Sequence, residues 1–258
     1  METDMNLREL VYDLQNFYAL SIKAPFGVFR KPFYLRETIE QMDYAGSGSF
    51  FLIILVSLFI GMALSLQISA ELSVLGLNMY TGKIVGVAII REIGPVAIAL
   101  SFAGRVGSGM ASEIGSMVLG HQVDIIRVFG VDPVKKIVTP RVLSAIVMLP
   151  VLTIVGDAVS LFGGYYIAVF VSHQSGSLYW SQIKDIMDFN NIFSGIAKPF
   201  IFGYLIACIS CYMGLSTRGG ARGLRRATTT SVVLSTIMII VTDFALTRIL
   251  MFILGMRV

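Results

Sequence analysis

Charged residues are scarce in this chain: Asp, Glu, Lys and Arg make up only 14% of its 258 residues, whereas 55% are hydrophobic. So little polar surface cannot cover a water-soluble globule of this size, which excludes an ordinary soluble domain. The net charge of +4 does not indicate nucleic-acid binding, because the basic residues lie between apolar segments, where they report topology. The composition therefore predicts an integral membrane protein without a nucleic-acid partner.

Cysteine and histidine are also rare, with two residues of each. Cys208 and Cys211 lie in an apolar stretch, where a redox or metal site would lack a second ligand pair and access to water. His121 and His173 fall in connections that the charge pattern places on opposite sides of the membrane. We therefore expect no metal site, no cofactor bound by this chain and no catalytic residue.

Five apolar runs are present, and each is long enough to cross a hydrocarbon core of about 30 Å. Their approximate bounds are Ser49 to Ala70, Gly86 to Ser112, Val142 to Ser172, Ile192 to Leu215 and Ser231 to Leu254. No apolar run precedes Phe50, so we expect the first span to direct insertion without a cleavable signal peptide.

Lys and Arg are concentrated before the first run, between the second and third, and between the fourth and fifth. The positive-inside rule makes these segments cytoplasmic, with the N-terminus inside and the C-terminus outside. From Leu7 to Ile22, apolar residues recur at helical spacing, which indicates an amphipathic helix at the membrane interface or, alternatively, on a soluble partner. We predict an all-α membrane protein with an elbow segment at residues 1–48 and five transmembrane helices at residues 49–258, a single domain overall.

The connection between the second and third spans alternates apolar and polar residues. Val123, Ile126 and Phe129 are separated by polar side chains, and the pattern ends at the turn sequence Gly130-Val-Asp132-Pro. This spacing predicts a short cytoplasmic amphipathic helix whose apolar face is available to a soluble partner.

The second span contains two rows of small residues at four-residue steps. One row is Ala99, Ala103, Gly107, Ala111 and Gly115, and the other is Gly104, Ser108, Ser112 and Ser116. Such rows allow helix backbones to approach closely, either within one chain or between two chains.

Ionisable residues inside a span are costly in hydrocarbon, so they should be paired, lie near an interface or face water. The spans contain seven of them: Arg91, Glu92, Arg105, Asp157, Lys198, Asp243 and Arg248. A polar cavity and an internal network of ion pairs both satisfy this requirement.

Several motifs occur in a fixed order along the chain. They are Arg91-Glu92-Ile-Gly-Pro95, Ala103-Gly-Arg105-Val-Gly-Ser, Ser112-Glu113-Ile-Gly-Ser-Met, Gln122-Val-Asp124, Gly130-Val-Asp132-Pro133, Pro140-Arg141-Val-Leu and Gly219-Gly-Ala-Arg-Gly-Leu-Arg-Arg226-Ala-Thr-Thr. From about Tyr44 onward the sequence resembles the MlaE/YrbE permeases, membrane subunits of ABC transporters that work with MCE-domain proteins. One position departs from the family pattern, since an acidic residue usually stands where this chain has His121.

This resemblance implies a homodimeric permease of the bacterial inner membrane, with one interfacial helix and five transmembrane helices per chain. It also implies two copies of a separate ABC ATPase, which binds ATP and Mg²⁺, and a periplasmic MCE-domain protein. The implied activity moves phospholipid or a related lipid between the inner membrane and the MCE conduit toward the outer membrane, maintaining outer-membrane lipid asymmetry.

The resemblance and the residue patterns together suggest two groups of functional residues. We expect a lipid-binding cavity between protomers to be lined by Gln67, Arg91, Glu92, Lys198 and Asp243. We expect contacts with the ATPase from Glu113, His121, Gln122, Asp124, Phe129 and Asp132.

Two other function classes stay open as alternatives: a secondary transporter or channel, and a membrane-embedded enzyme of lipid metabolism. The first would normally show a repeat of the hydropathy pattern, and the second would need clustered carboxylates, a histidine pair or an activated nucleophile. Residues 76–83 resemble a phosphate-binding loop only superficially, because Ile84 replaces the Ser or Thr that would bind Mg²⁺. We therefore expect ATP hydrolysis in a separate subunit.

Overall fold

The structure is a computed structural model that describes residues 7–26 and 34–255. Nearly all of these residues are helical, and the described part of the chain contains no strand. The helices are α1 (Leu7–Phe26), α2 (Leu35–Val74), α3 (Asn78–Leu119), α4 (Gln122–Val128), α5 (Val134–Phe170), α6 (Gly176–Ile186), α7 (Phe189–Leu215) and α8 (Gly220–Ile253).

Five of these helices, α2, α3, α5, α7 and α8, are long and apolar enough to cross a membrane. They contain the five predicted spans to within two residues at the C-terminal ends of α5 and α8, which confirms the prediction of an all-α, multi-pass membrane protein. Each helix is longer than its apolar run, because hydropathy detects only the turns suited to hydrocarbon while the helical hydrogen bonds continue beyond them.

Two shorter helices coincide with the predicted amphipathic segments: α1 with the N-terminal segment and α4 with the connection between the second and third spans. Their positions at a membrane interface and at an ATPase stay predictions. Residues 1–6 and 27–33 of the predicted elbow lie outside the described residues.

Helix α3 is not a regular α-helix throughout its length. Two wider π-helical turns, Ile89–Ile93 and Ala103–Gly107, interrupt it. Such turns are rare and occur frequently at functional sites. The first contains Arg91 and Glu92 and the second contains Arg105, so both charged motifs of the second span lie on widened turns.

Contacts between residues group the chain into two compact units. The first unit comprises residues 1–45, 103–145 and 204–236, and the second comprises residues 46–102, 146–203 and 237–258. This grouping does not test the predicted boundary between an elbow at residues 1–48 and a five-helix domain, which stays a prediction.

In the first unit, α1 packs against α5 and α7. Leu20, Ser21 and Ala24 of α1 are buried. The hydroxyl of Tyr204 donates a hydrogen bond to the carbonyl of Ser21 at 2.9 Å, and the hydroxyl of Thr139 donates to the carbonyl of Ala24 at 2.9 Å. These bonds join the C-terminal half of α1 to two of the long helices.

In the second unit, α6 packs on the first turns of α3. Val85, Ile89, Ile183 and Ile186 form a buried apolar cluster with Tyr179. The Tyr179 hydroxyl donates a hydrogen bond to a carbonyl of α5 at 3.2 Å. Burial raises the pKa of the Tyr179 phenol well above its ordinary value, so the hydroxyl stays protonated and keeps this bond.

The first row of small residues in α3 is buried, whereas the second row is partly exposed. A Cβ atom added at Gly107 would lie 2.9 Å from Ser210 Oγ and 3.1 Å from Ile206 Cγ2, both on α7. A Cβ atom added at Gly104 in the second row would meet no atom within 4 Å. The first row therefore serves helix packing within the chain.

We expect Gly107→Leu to lower the free energy of unfolding by about 1–3 kcal/mol, because the larger side chain must displace Ile206 and Ser210 from a close-packed contact. Gly104→Leu is the matched control, since it lies in the same π-helical turn and has open space around it. Thermal unfolding of the two detergent-purified variants measures the difference. Equal melting temperatures would show that the row has no packing role.

Candidate functional site

A buried lysine joins charged residues from three helices of the second unit. Lys198 of α7 is fully buried, and its Nζ lies 2.7 Å from Glu92 Oε2 of α3 and 3.0 Å from Asp243 Oδ1 of α8. Thr247 donates a hydrogen bond to Glu92 Oε2 at 3.2 Å. We call these residues, together with Arg91, the Lys198 cluster.

The Lys198 ammonium also replaces a missing backbone donor. Pro95 has no N–H group, so the carbonyl of Arg91, four residues earlier, lacks the donor that an α-helix would supply. Lys198 Nζ donates a hydrogen bond to that carbonyl at 2.9 Å. The ammonium therefore has three oxygen neighbours: it donates hydrogen bonds to the Arg91 carbonyl and to Glu92, and it forms an ion pair with Asp243 without hydrogen-bond geometry.

The acidic residues of the cluster are more exposed than its lysine. The side chain of Glu92 is 37% exposed and that of Asp243 is 20% exposed, against 0% for Lys198. The side chain of Arg91 is partly exposed and forms no ion pair with any residue that the structure describes. The cluster therefore has a closed interior around Lys198 and an open side with Glu92, Asp243 and Arg91, and this open side requires water, a polar ligand or another protein surface.

Four of the five residues predicted to bind lipid thus belong to one cluster. Gln67 is exposed on α2, and no hydrogen bond or ion pair links it to a described residue, so its role stays a prediction. Thr247 was not predicted from the sequence, although it follows Asp243 by four residues and therefore shares its helix face.

The other charges predicted inside spans have different surroundings. The guanidinium of Arg105 lies 5.3 Å from the centre of the Tyr44 ring and donates a hydrogen bond to the Tyr44 carbonyl at 3.3 Å. Arg248 is exposed on α8. Asp157 lines a small apolar pocket in the second unit, and its buried Oδ1 accepts no hydrogen bond from the described residues. Pairing therefore accounts for only some of these charges.

Glu113, predicted to contact the ATPase, forms an ion pair inside the first unit. Its Oε1 lies 2.8 Å from a guanidinium nitrogen of Arg141, whose side chain is 7% exposed. Arg141 also donates a hydrogen bond to the carbonyl of Ile137 at 2.8 Å. The half-exposed Glu113 therefore joins α3 to α5 close to the connection that carries α4.

The coupling segment, residues 120–132, has a left-handed residue directly before α4. His121 has a φ of 57°, a conformation that His, Asn and Asp adopt more readily than most non-glycine residues. Asp124 lies 3.4 Å from the His121 ring and 3.4 Å from the Arg127 guanidinium. All three side chains are exposed, so these pairs add little stability and remain accessible to a partner.

The Gly-Val-Asp-Pro motif ends α4 and begins α5. Gly130 has a φ of 72°, and the N–H of Val131 donates to the carbonyl of Ile126 at 3.2 Å, as in a glycine-terminated helix end. The carboxylate of Asp132 then accepts a hydrogen bond from the N–H of Val134 at 2.9 Å. Asp132 therefore has a local structural role, and its contact with an ATPase stays a prediction.

The apolar face that the coupling segment exposes differs from the predicted one. Val123 is buried against the first unit and Ile126 is half-buried, so these two residues anchor α4. Ile125, Val128 and Phe129 are exposed, at 53%, 86% and 79%. Gln122 is exposed as well. Of the three residues predicted to form the apolar face, only Phe129 is exposed to solvent, because Val123 and Ile126 pack α4 against the rest of the first unit.

The sequence matches the family model described as Permease MlaE over residues 38–249. A probable ABC transporter permease protein of Rickettsia typhi is 32% identical over 93% of this chain and 91% of its own length. The permease protein MlaE of the intermembrane phospholipid transport system of Haemophilus influenzae is 32% identical over 82% of each chain. The chloroplast protein trigalactosyldiacylglycerol 1 of Arabidopsis thaliana is 36% identical over 82% of this chain and 60% of its own length. With the Lys198 cluster and the coupling segment both inside the matched region, the chain belongs to the MlaE permease family.

Proposed function

We propose that this chain is the permease subunit of an ABC transporter that moves phospholipid or a related lipid. The observation that carries the proposal is the Lys198 cluster, in which charged residues of three membrane-spanning helices meet and leave one polar side open. The relative from Haemophilus influenzae is named as a permease of a phospholipid transport system, which supports the same substrate class.

The cluster has chemistry suited to a lipid headgroup. A guanidinium binds phosphate through two parallel hydrogen bonds, and Arg91 has no carboxylate partner among the described residues. The exposed parts of Glu92 and Asp243 provide acceptors for a headgroup amine or hydroxyl. Lys198 stays satisfied by its carboxylates when the site is empty, so the site does not collapse between lipids.

We further propose that two copies of the chain enclose the lipid. In a single chain, Lys198 pairs with Glu92 and Asp243, but both carboxylates are also partly exposed within helices that span the membrane, where contact of a charge with hydrocarbon is costly. Around Asp243, α8 also exposes Ile240, Val241 and Phe244. A second copy would separate these carboxylates from the lipid tails, and Gln67 of α2 would line the same cavity.

The remaining partners follow from the same proposal. A separate ATPase binds ATP and Mg²⁺ and docks on the coupling segment, in keeping with the ABC transporter permease names of the relatives. An MCE-domain protein on the periplasmic side exchanges lipid with the permease, links the inner membrane to the outer membrane and maintains lipid asymmetry. Lys and Arg in the connections support a cytoplasmic N-terminus and a periplasmic C-terminus. Lipid movement without the ATPase in proteoliposomes would instead favour a secondary transporter or channel.

Arg91→Gln tests the lipid site with little risk to the fold. We expect it to weaken the affinity for phospholipid at least about tenfold, and thus to lower the phospholipid retained per purified dimer, since a lost charge-assisted hydrogen bond costs about 1.5–3 kcal/mol. The melting temperature should not change, because the Arg91 side chain forms no described ion pair. Lipid quantified by mass spectrometry, beside the melting temperature, gives the result. Arg248→Gln is the control, and normal lipid in Arg91→Gln would remove Arg91 from the site.

A further inference from the structure

The first unit contains a pocket beside the coupling segment. It has a volume of about 820 Å³ and lies between α1, the coupling segment, the start of α5 and the end of α7. This volume is within the range of about 300–1,000 Å³ that small-molecule sites occupy. The pocket is therefore large enough for a ligand of its own, separate from the lipid proposed at the Lys198 cluster.

Three separate elements each contribute a cation to this pocket: Lys23 from the last turn of α1, Arg127 from α4, and Arg218 from the residues after α7. None of the described residues that line the pocket is acidic. Lys23 and Arg218 form no ion pair with any described residue, and Arg127 approaches Asp124 only to 3.4 Å. Three like charges on one pocket repel each other, and a bound anion would offset that repulsion.

The pocket also has an apolar wall. Leu20 of α1, Val134 of α5 and Leu215 of α7 line it together with Tyr12 and Tyr212. Its three cations lie in segments that the positive-inside rule places on the cytoplasmic side of the membrane. An inorganic anion would use only the cations, whereas a lipid headgroup with its first chain atoms would use the cations and the apolar wall.

We propose that this pocket binds the phosphate headgroup of an anionic phospholipid of the cytoplasmic leaflet. Basic pockets between membrane helices on the cytoplasmic side recognise such headgroups. An anionic lipid is favoured over a zwitterionic one, because the described lining offers three cations and no carboxylate for a headgroup amine. The bound lipid would tie α1, the coupling segment and α7 together. The proposal does not depend on which lipid the permease transports.

The test compares phosphatidylglycerol with phosphatidylcholine, each titrated into the full-length chain in detergent, with the melting temperature and native mass spectrometry as readouts. We expect phosphatidylglycerol to raise the melting temperature more than phosphatidylcholine does, since either lipid can also occupy the site proposed at the Lys198 cluster. Lys23→Gln/Arg218→Gln should weaken phosphatidylglycerol binding about 25-fold, because each such cation contributes about fivefold. The control is Arg222→Gln/Arg225→Gln, which removes the same charge from exposed residues that do not line the pocket.

Four results would each overturn the proposal. They are an equal response to both lipids, an equal loss of binding in the control, competition by inorganic phosphate at the same concentration as the lipid, and lost ATPase co-purification with unchanged lipid binding. The last result would assign the cations to an acidic surface of the ATPase. Both substituted side chains are exposed, so the variants should melt like wild type without lipid. If they do not, the exposed Arg127→Gln provides an independent removal of charge from the pocket.

Discussion

Lys198→Met is expected to lower the free energy of unfolding by about 3–5 kcal/mol, the range measured when one partner of a buried ion pair is removed. The substitution leaves Glu92 and Asp243 without their cation and the Arg91 carbonyl without its donor. Thermal unfolding of the detergent-purified chain is the measurement. A melting temperature equal to wild type would mean that the ion pairs do not hold the three helices together.

The triple variant Lys198→Met/Glu92→Gln/Asp243→Asn is the matched control for that result. It should recover most of the lost stability, because neutral side chains of similar size remove the unpaired charges. The amount of phospholipid bound to this variant then distinguishes a lipid cavity from a purely structural network of ion pairs. A stable triple variant with normal bound phospholipid would reduce the cluster to a structural network, whereas a stable triple variant without lipid would support the cavity.

Phe129→Asp should lower the affinity of the permease for its ATPase by at least about 2 kcal/mol, or about 25-fold. Phe129 is 79% exposed on the coupling segment, so the change should not affect the fold, but it would put a charge into an apolar contact. Co-purification of the ATPase measures the effect. Val74→Asp is the control, because Val74 is similarly exposed, at 86%, but lies at the end of α2. Wild-type recovery of the ATPase with Phe129→Asp would refute the docking assignment.

The sequence predicts the helices of this fold well because membrane insertion imposes a simple rule. Backbone N–H and C=O groups in hydrocarbon must form hydrogen bonds within the segment, so an isolated apolar run of about 20 residues forms a transmembrane helix. The charged residues that the rule makes expensive were also identified, and four of them belong to one cluster. The partner of each residue could not be predicted, because pairing depends on which helices pack side by side.

The π-helical turns of α3 were not predicted, although the spacing of the first small-residue row indicates one of them. In a regular α-helix, residues at four-residue steps drift by about 40° per step, or about 160° from Ala99 to Gly115. All five residues of the row are nevertheless buried. The π-helical turn Ala103–Gly107 accommodates one extra residue and removes about 100° of that rotation. A row that stays buried at strict four-residue steps is therefore a sign of such a turn.

The bond from Lys198 to the Arg91 carbonyl makes the shape of one helix depend on the position of another. The turn Ile89–Ile93 takes one of its donors from α7, so α3 and α7 cannot separate there without breaking that hydrogen bond and the Lys198–Glu92 ion pair together. Interactions that break together give a transition between two discrete states. For the proposed transporter, we therefore expect α3 and α7 to switch between a joined and a separated arrangement without stable intermediates.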